Sequence, residues 1–179
     1  VFVASAALAA VACGADKATD AGVVVAGHSP PRGIFAGSVE DGGAKIGVVS
    51  DGFDVRAYAC GDDTSLDTHT HWFSGDIDTD LAAADDTGWT LRVDRDGSDA
   101  EELVGELISA EGEAFSWSAV VASDTGPAGL YEAEDAGCRA GVVAWRTVGG
   151  FDSQGVWCDS EGHRAQIIPV NGLPEARVA

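Results

Sequence analysis

The chain has 179 residues, 45% of them apolar and 22% charged, enough for one domain with a single core once an N-terminal export segment is set aside. Thirty acidic residues against ten basic ones give a formal net charge of −20, and the two lysines are Lys17 and Lys45. A surface of that sign repels phosphate backbones and anionic headgroups at long range, which argues against nucleic acid as a partner and reads first as a source of solubility.

Residues 1–12, VFVASAALAAVA, carry no charge and run into Cys13. That run is too short to span a bilayer and fits the apolar region of a secretory signal. No methionine occurs in the chain, so the basic start of such a signal is expected to precede residue 1. Small residues leading into a cysteine resemble the lipobox of bacterial lipoproteins, which implies that Cys13 is lipidated and becomes the mature N-terminus. The match departs at Ala10, where leucine is usual, and Leu8 lies further upstream. Cleavage after Ala10-Val11-Ala12 is the alternative and leaves a secreted protein with Cys13 as a free thiol. Residues 13–32 read as a tether of small and polar residues, stiffened by Pro30-Pro31, and 33–179 as a single β-domain. The expected location is the outer face of the cytoplasmic membrane. The expected partners are that membrane, through the anchor, and an envelope protein complex.

From Gly33 onward the signals are those of β structure. Turn dipeptides such as Asp41-Gly42, Asp51-Gly52, Asp96-Gly97, Gly149-Gly150 and Glu161-Gly162 separate short alternating or β-branched runs. Asp51-Gly52 lies between two such runs and predicts a type I′ hairpin, in which both central residues have positive φ. Strands are predicted over 34–40, 46–49, 55–59, 69–74, 89–93, 103–108, 115–121, 129–133, 141–146, 155–157 and 164–169. Leu103, Gly105 and Leu107 share one face, as do Phe115, Trp117, Ala119 and Val121. The run 81–84 is the one helix candidate and is too short to matter. About eleven short strands with short connections predict an all-β fold, an antiparallel meandering barrel, with a β-sandwich as the alternative. Small residues such as Gly37, Gly47, Ala57 and Gly105 are expected to face its interior, and tryptophans to fill it.

With Cys13 lipidated, Cys60, Cys138 and Cys158 remain. Cys138 and Cys158 flank a hairpin-like segment and are the preferred disulfide, leaving Cys60 at a strand end. Pairings of Cys60 with either partner stay open. Asp67-x-His69-x-His71 on a strand would place a carboxylate and two imidazoles on one face, a donor set suited to Zn²⁺ or Cu²⁺, with His28 or His163 as a further ligand. A solvent-facing or rim strand is the competing reading. Asp86-Thr87-Gly88 and Asp124-Thr125-Gly126 match the triplet of aspartic proteases, but they stand too close for two lobes and fit turn chemistry. Asp76-x-Asp78-x-Asp80 and Asp94-x-Asp96-Gly97-x-Asp99 allow weak surface Ca²⁺ binding, although neither fits an EF-hand loop. The five tryptophans read as core, each with its indole N–H paired, before they read as ligand-cavity walls.

The stretches Arg56-Ala57-Tyr58-Ala59-Cys60-Gly61, Trp72-Phe73-Ser74-Gly75 and Gly126-Pro127-Ala128-Gly129-Leu130-Tyr131 resemble uncharacterised secreted or lipid-anchored envelope proteins of actinobacteria. The resemblance covers 33–144 and implies export and no catalytic residues. The expectation is therefore a non-enzymatic, lipid-anchored binding or accessory module without a required cofactor. The alternative is a Zn- or Cu-handling envelope protein using Asp67, His69 and His71.

Overall fold

Antiparallel strands follow one another along the chain in a computed structural model that describes residues 31–76, 82–94, 97–122, 127–135, 137–169 and 176–178. The first eight close into a barrel in sequential order: β1 (Gly33–Val39), β2 (Lys45–Ser50), β3 (Asp54–Cys60), β4 (His71–Asp76), β5 (Ala82–Ala84), β6 (Thr90–Asp94), β7 (Glu102–Ile108) and β8 (Ala114–Val121). Closure comes from β8 pairing with β1, with Phe35 opposite Val121 and Val39 opposite Trp117. Closing the ladder covers strand edges that would otherwise be open to another chain, apart from the β4 edge beyond its single pairing with β5. Its narrowest seam is β4–β5, where Ser74 pairs with Ala84.

The chain then enters a second antiparallel sheet, β9 (Gly129–Asp135), β10 (Cys138–Thr147), β11 (Gly150–Cys158), β12 (Arg164–Pro169) and β13 (Ala176–Val178). The expected all-β meander and barrel are both present. The division of strands differs: thirteen occur among the described residues, and eight of them make the barrel. The run 81–84, read as a helix candidate, supplies β5, because pairing to β6 through Ala82–Arg92, Ala83–Leu91 and Ala84–Thr90 overrides weak intrinsic preference.

Alternation along the barrel strands sends one face inward. Phe35, Ile46, Phe73, Leu91, Leu107 and Trp117 are all essentially fully buried and pack in one cluster with Ala57, Ala59 and Ala119. The interior is thus filled with side chains as expected, but mostly not by tryptophans: Trp117 is in the buried cluster with Trp89 packed partly against it, while Trp72 and Trp145 lie in the layer outside the barrel. Gly105 stands opposite Trp117 in the ladder, and a Cβ there would lie 3.0 Å from the indole ring and 2.0 Å from the Arg92 carbonyl oxygen. Gly47 does not face inward as expected: it looks outward onto Val143 and Leu130 of the second sheet.

A second apolar layer explains that. Ala36, Tyr58 and Cys60 on the outside of the barrel pack against Val143 and Val156, with Leu66, Trp72, Leu130 and Trp145 around them. At Gly141 the two sheets come closest, since a Cβ there would sit 2.6 Å from the Tyr58 ring and 2.7 Å from that of Trp72. Only glycine permits such an approach. Around the contact, Arg139 stacks 4.0 Å over Trp72 and its Nε donates to Glu132 at 2.6 Å. Gln154 Nε2 donates to the Cys60 carbonyl at 2.7 Å, tying β11 to β3. Cys138 and Cys158 form a disulfide across the second sheet, with Cα atoms 5.6 Å apart, as preferred from sequence. Closing a loop of that length contributes on the order of 3 kcal/mol. Cys60 is free and buried at the end of β3.

Three hairpins use one five-residue turn. In 85–89, 109–113 and 159–163 the first residue's N–H donates to the fifth residue's carbonyl at 3.0, 2.8 and 3.1 Å. The first side chain, Asp85, Ser109 or Asp159, accepts the N–H groups of the third and fifth residues. The fourth residue is Gly88, Gly112 or Gly162, with φ of 90°, 88° and 87°. Glycine is required at that left-handed position. The Asp86-Thr87-Gly88 triplet is part of this turn, so turn chemistry accounts for it. Asp51-Gly52 does make a hairpin, but not a type I′ one: Gly52 has φ 90°, whereas the β1–β2 turn is where an Asp, Asp41, takes positive φ at 56°. Asp51 instead caps its own turn by accepting the N–H groups of Phe53 and Asp54.

Candidate functional site

Two places in the molecule gather chemistry. The first is a polar cluster at one end of the barrel, built from the 61–70 loop, the start of β4 and the β5–β6 turn. Asp62 organises the loop: its Oδ1 accepts the Thr64 hydroxyl and then the N–H groups of Thr64 and Ser65, which holds its carboxyl below the usual carboxylate range. The chain leaves that turn at His69 and enters β4 at His71. Asp67 is exposed, and Asp67 and His69 precede the strand rather than lying on it. The same-face arrangement of Asp67, His69 and His71 therefore does not form. Among the described residues no group of three or more His, Cys, Asp or Glu side chains is placed to hold a metal ion.

His71 and Asp85 instead make a buried pair, Nδ1 to Oδ2 at 2.7 Å, with side chains 10% and 4% exposed. The other ring nitrogen, Nε2, donates to the Thr68 carbonyl at 3.0 Å. Both nitrogens of His71 are thus engaged. Its ring stacks on Trp89 at 4.5 Å. Asp85 also accepts from the Thr87 hydroxyl and from the backbone N–H of Trp89, so one carboxylate holds the hairpin turn and joins it to the neighbouring loop.

His69 differs. The Thr68 hydroxyl donates to the Ser65 carbonyl, so its oxygen accepts from His69 Nδ1 at 2.9 Å. That leaves Nε2 as the bare nitrogen, buried and without a partner among the described residues. The ring meets Phe115 and Trp89 edge-on at 4.9 and 5.4 Å. Burial, then the neighbouring His71, holds the His69 pKa below the ordinary histidine value.

The second place is a groove of about 800 Å³ where the second sheet diverges from the barrel wall. Its floor is β1 at Ala36, Gly37 and Ser38, all small, with Ala36 and Ser38 on the outer face. Val120, Val121 and Ala122 form one wall, and Trp145 to Val148 at the end of β10 form the other. Val120 and Val121 are 57% and 44% exposed, and Val148 is fully exposed at the hairpin tip. Lys45 reaches over the groove, with Nζ donating to Ser38 Oγ at 2.9 Å and lying 5.0 Å above the Trp145 ring. Nothing in the sequence marked this groove, because its residues come from five separate segments.

The remaining sequence candidates are dispersed. His163 sits in the 159–163 turn with Nδ1 2.9 Å from Asp159 Oδ2, and its side chain is 73% exposed. Burial pushes the Cys60 thiol up to about 12, so it is a packed group rather than a nucleophile. Asp99 caps its own turn through the N–H groups of Glu101 and Glu102. Cys13, His28, Asp78, Asp80, Asp96 and Asp124 lie outside the described residues. Trp117 is core, Trp72, Trp89 and Trp145 are half-buried, and Trp157 is 38% exposed. The indole N–H groups of Trp72 and Trp117 have no partner among the described residues, unlike the expected pairing. Comparison with protein-family models, curated proteins and solved structures returned no match.

Proposed function

We propose that the protein is a non-enzymatic binding or accessory module of the cell envelope, exported and held to the outer face of the cytoplasmic membrane by lipid on Cys13. The observation that carries the binding role is the groove between barrel and second sheet, with exposed valines on its walls. Concave apolar surface with a few polar groups is the usual form of a ligand site. The Cys138–Cys158 disulfide is consistent with an oxidising compartment. The polar cluster at the barrel end fits structure better than catalysis, because both nitrogens of His71 are engaged and neither is free to take a proton from a substrate.

The anchor is tested by mass spectrometry of the mature N-terminus recovered from membranes. The expected peptide begins at Cys13 and carries a diacylglyceryl adduct; an unmodified start removes the anchor from the proposal. A second reading, Zn²⁺ or Cu²⁺ handling, has in its favour the unpartnered Nε2 of His69. Calorimetric titration of the wild type against a His69→Ala/His71→Ala double variant decides it, and equal affinities eliminate it.

A further inference from the structure

We infer that the groove binds a single-chain amphiphile with an anionic head, of the fatty-acid class, its tail along the valine wall and its carboxylate at Lys45. This deepens the binding-module reading and rests on it. The supporting observation is charge. Acidic residues outnumber basic ones thirty to ten, yet among the described residues the groove lining includes Lys45 and no Asp or Glu. A site built for a cationic or purely apolar guest has no need of that local reversal.

The geometry fits the two halves of such a molecule. Val120 and Val148 offer apolar surface already in contact with water, so covering it releases hydration. Lys45 is held in place by the Ser38 hydroxyl and the Trp145 ring, so it loses little side-chain freedom on meeting a carboxylate. The groove, at about 800 Å³, lies within the range of small-molecule sites. The chain's overall charge works against an anion, but that field is screened over about 8–10 Å at physiological salt, whereas Lys45 acts at contact distance. The opposing field makes the test strict, because the whole molecule favours a cationic amphiphile and only the groove favours an anionic one.

The experiment uses the full chain with Cys13→Ser, which removes any lipid of its own, and three probes below their micelle concentrations: laurate, dodecanol and dodecylammonium. Titration calorimetry is expected to rank laurate first. Lys45→Gln should weaken laurate about tenfold and leave dodecanol unchanged, Lys45→Arg should restore laurate, and Val120→Asp should weaken both. Near-UV circular dichroism checks that each variant is folded. Dodecylammonium binding as tightly as laurate, an unchanged laurate affinity in Lys45→Gln, or no binding by any probe overturns the inference. None of these outcomes bears on the lipid anchor, which the N-terminal mass decides separately.

Discussion

Asp85 ties the β5–β6 turn to the start of β4 at the barrel end. Its two oxygens serve the Thr87 and Trp89 backbone N–H groups, the Thr87 hydroxyl and the His71 ring. Asp85→Ala leaves these donors unserved in a largely buried site, and a loss of about 3 kcal/mol is expected. Urea unfolding measures it; a change within about 0.5 kcal/mol would mean that solvent replaces the carboxylate. His69 makes a different prediction. Its folded-state pKa lies below the ordinary value of 6.5, so the unfolded chain takes up the proton first. The His69 contribution is complete above pH 6.5 and declines as the pH falls from there toward the lowered folded-state value. His69→Asn should flatten stability against pH between about 7 and 5 relative to the wild type. Parallel curves would contradict that. Sequence alone does not single out Asp85, since its partner His71 is fourteen residues away and joined to it by the fold.

At the scale of elements, most strands were legible because period-two alternation and turn residues are local signals. β5 was not, since three alanines carry no strand preference and take their conformation from β6. The repeated five-residue turn was half visible, through Gly88 and Gly162. Its first residue, Asp or Ser, is the part that needs coordinates, because its role is a pair of hydrogen bonds to N–H groups two and four residues on. Docking of the second sheet depends on Gly141. A larger side chain there must displace Tyr58 or Trp72, so Gly141→Val is expected to cost about 1–3 kcal/mol and to alter the near-ultraviolet signal of the aromatic layer. A Gly141→Val protein with unchanged stability and spectrum would show that the sheets separate without penalty.

Across the whole molecule, the excess of acid is partly put to local use. Asp51, Asp62, Asp85, Asp99 and Asp159 each accept backbone N–H groups in their own turns. Self-repulsion of a chain at −20 nonetheless opposes compaction. Raising NaCl from about 0.01 M to about 1 M shortens the screening length from about 30 Å to about 3 Å, and the melting temperature is expected to rise by about 3 °C or more. A fall would indicate that attractive charge pairs outweigh the repulsion.

The sequence by itself determined the all-β class and the order and approximate limits of most strands, and it favoured the Cys138–Cys158 bridge without fixing it. These follow from contacts between near neighbours or from alternation that any half-buried strand must show. Tertiary structure alone decided how the strands are shared between barrel and second sheet. In β3, residues 57–60 are buried without a break, because one face meets the barrel core and the other meets β10 and β11. A strand covered on both sides has no alternation left to say which layer each residue joins. The same limit applies to His69 and His71, whose two-residue spacing implied a shared strand face. A turn before β4 sends one ring against Phe115 and engages the other with Asp85. The groove beneath Lys45 exists only where two sheets diverge, and no local pattern encodes that distance.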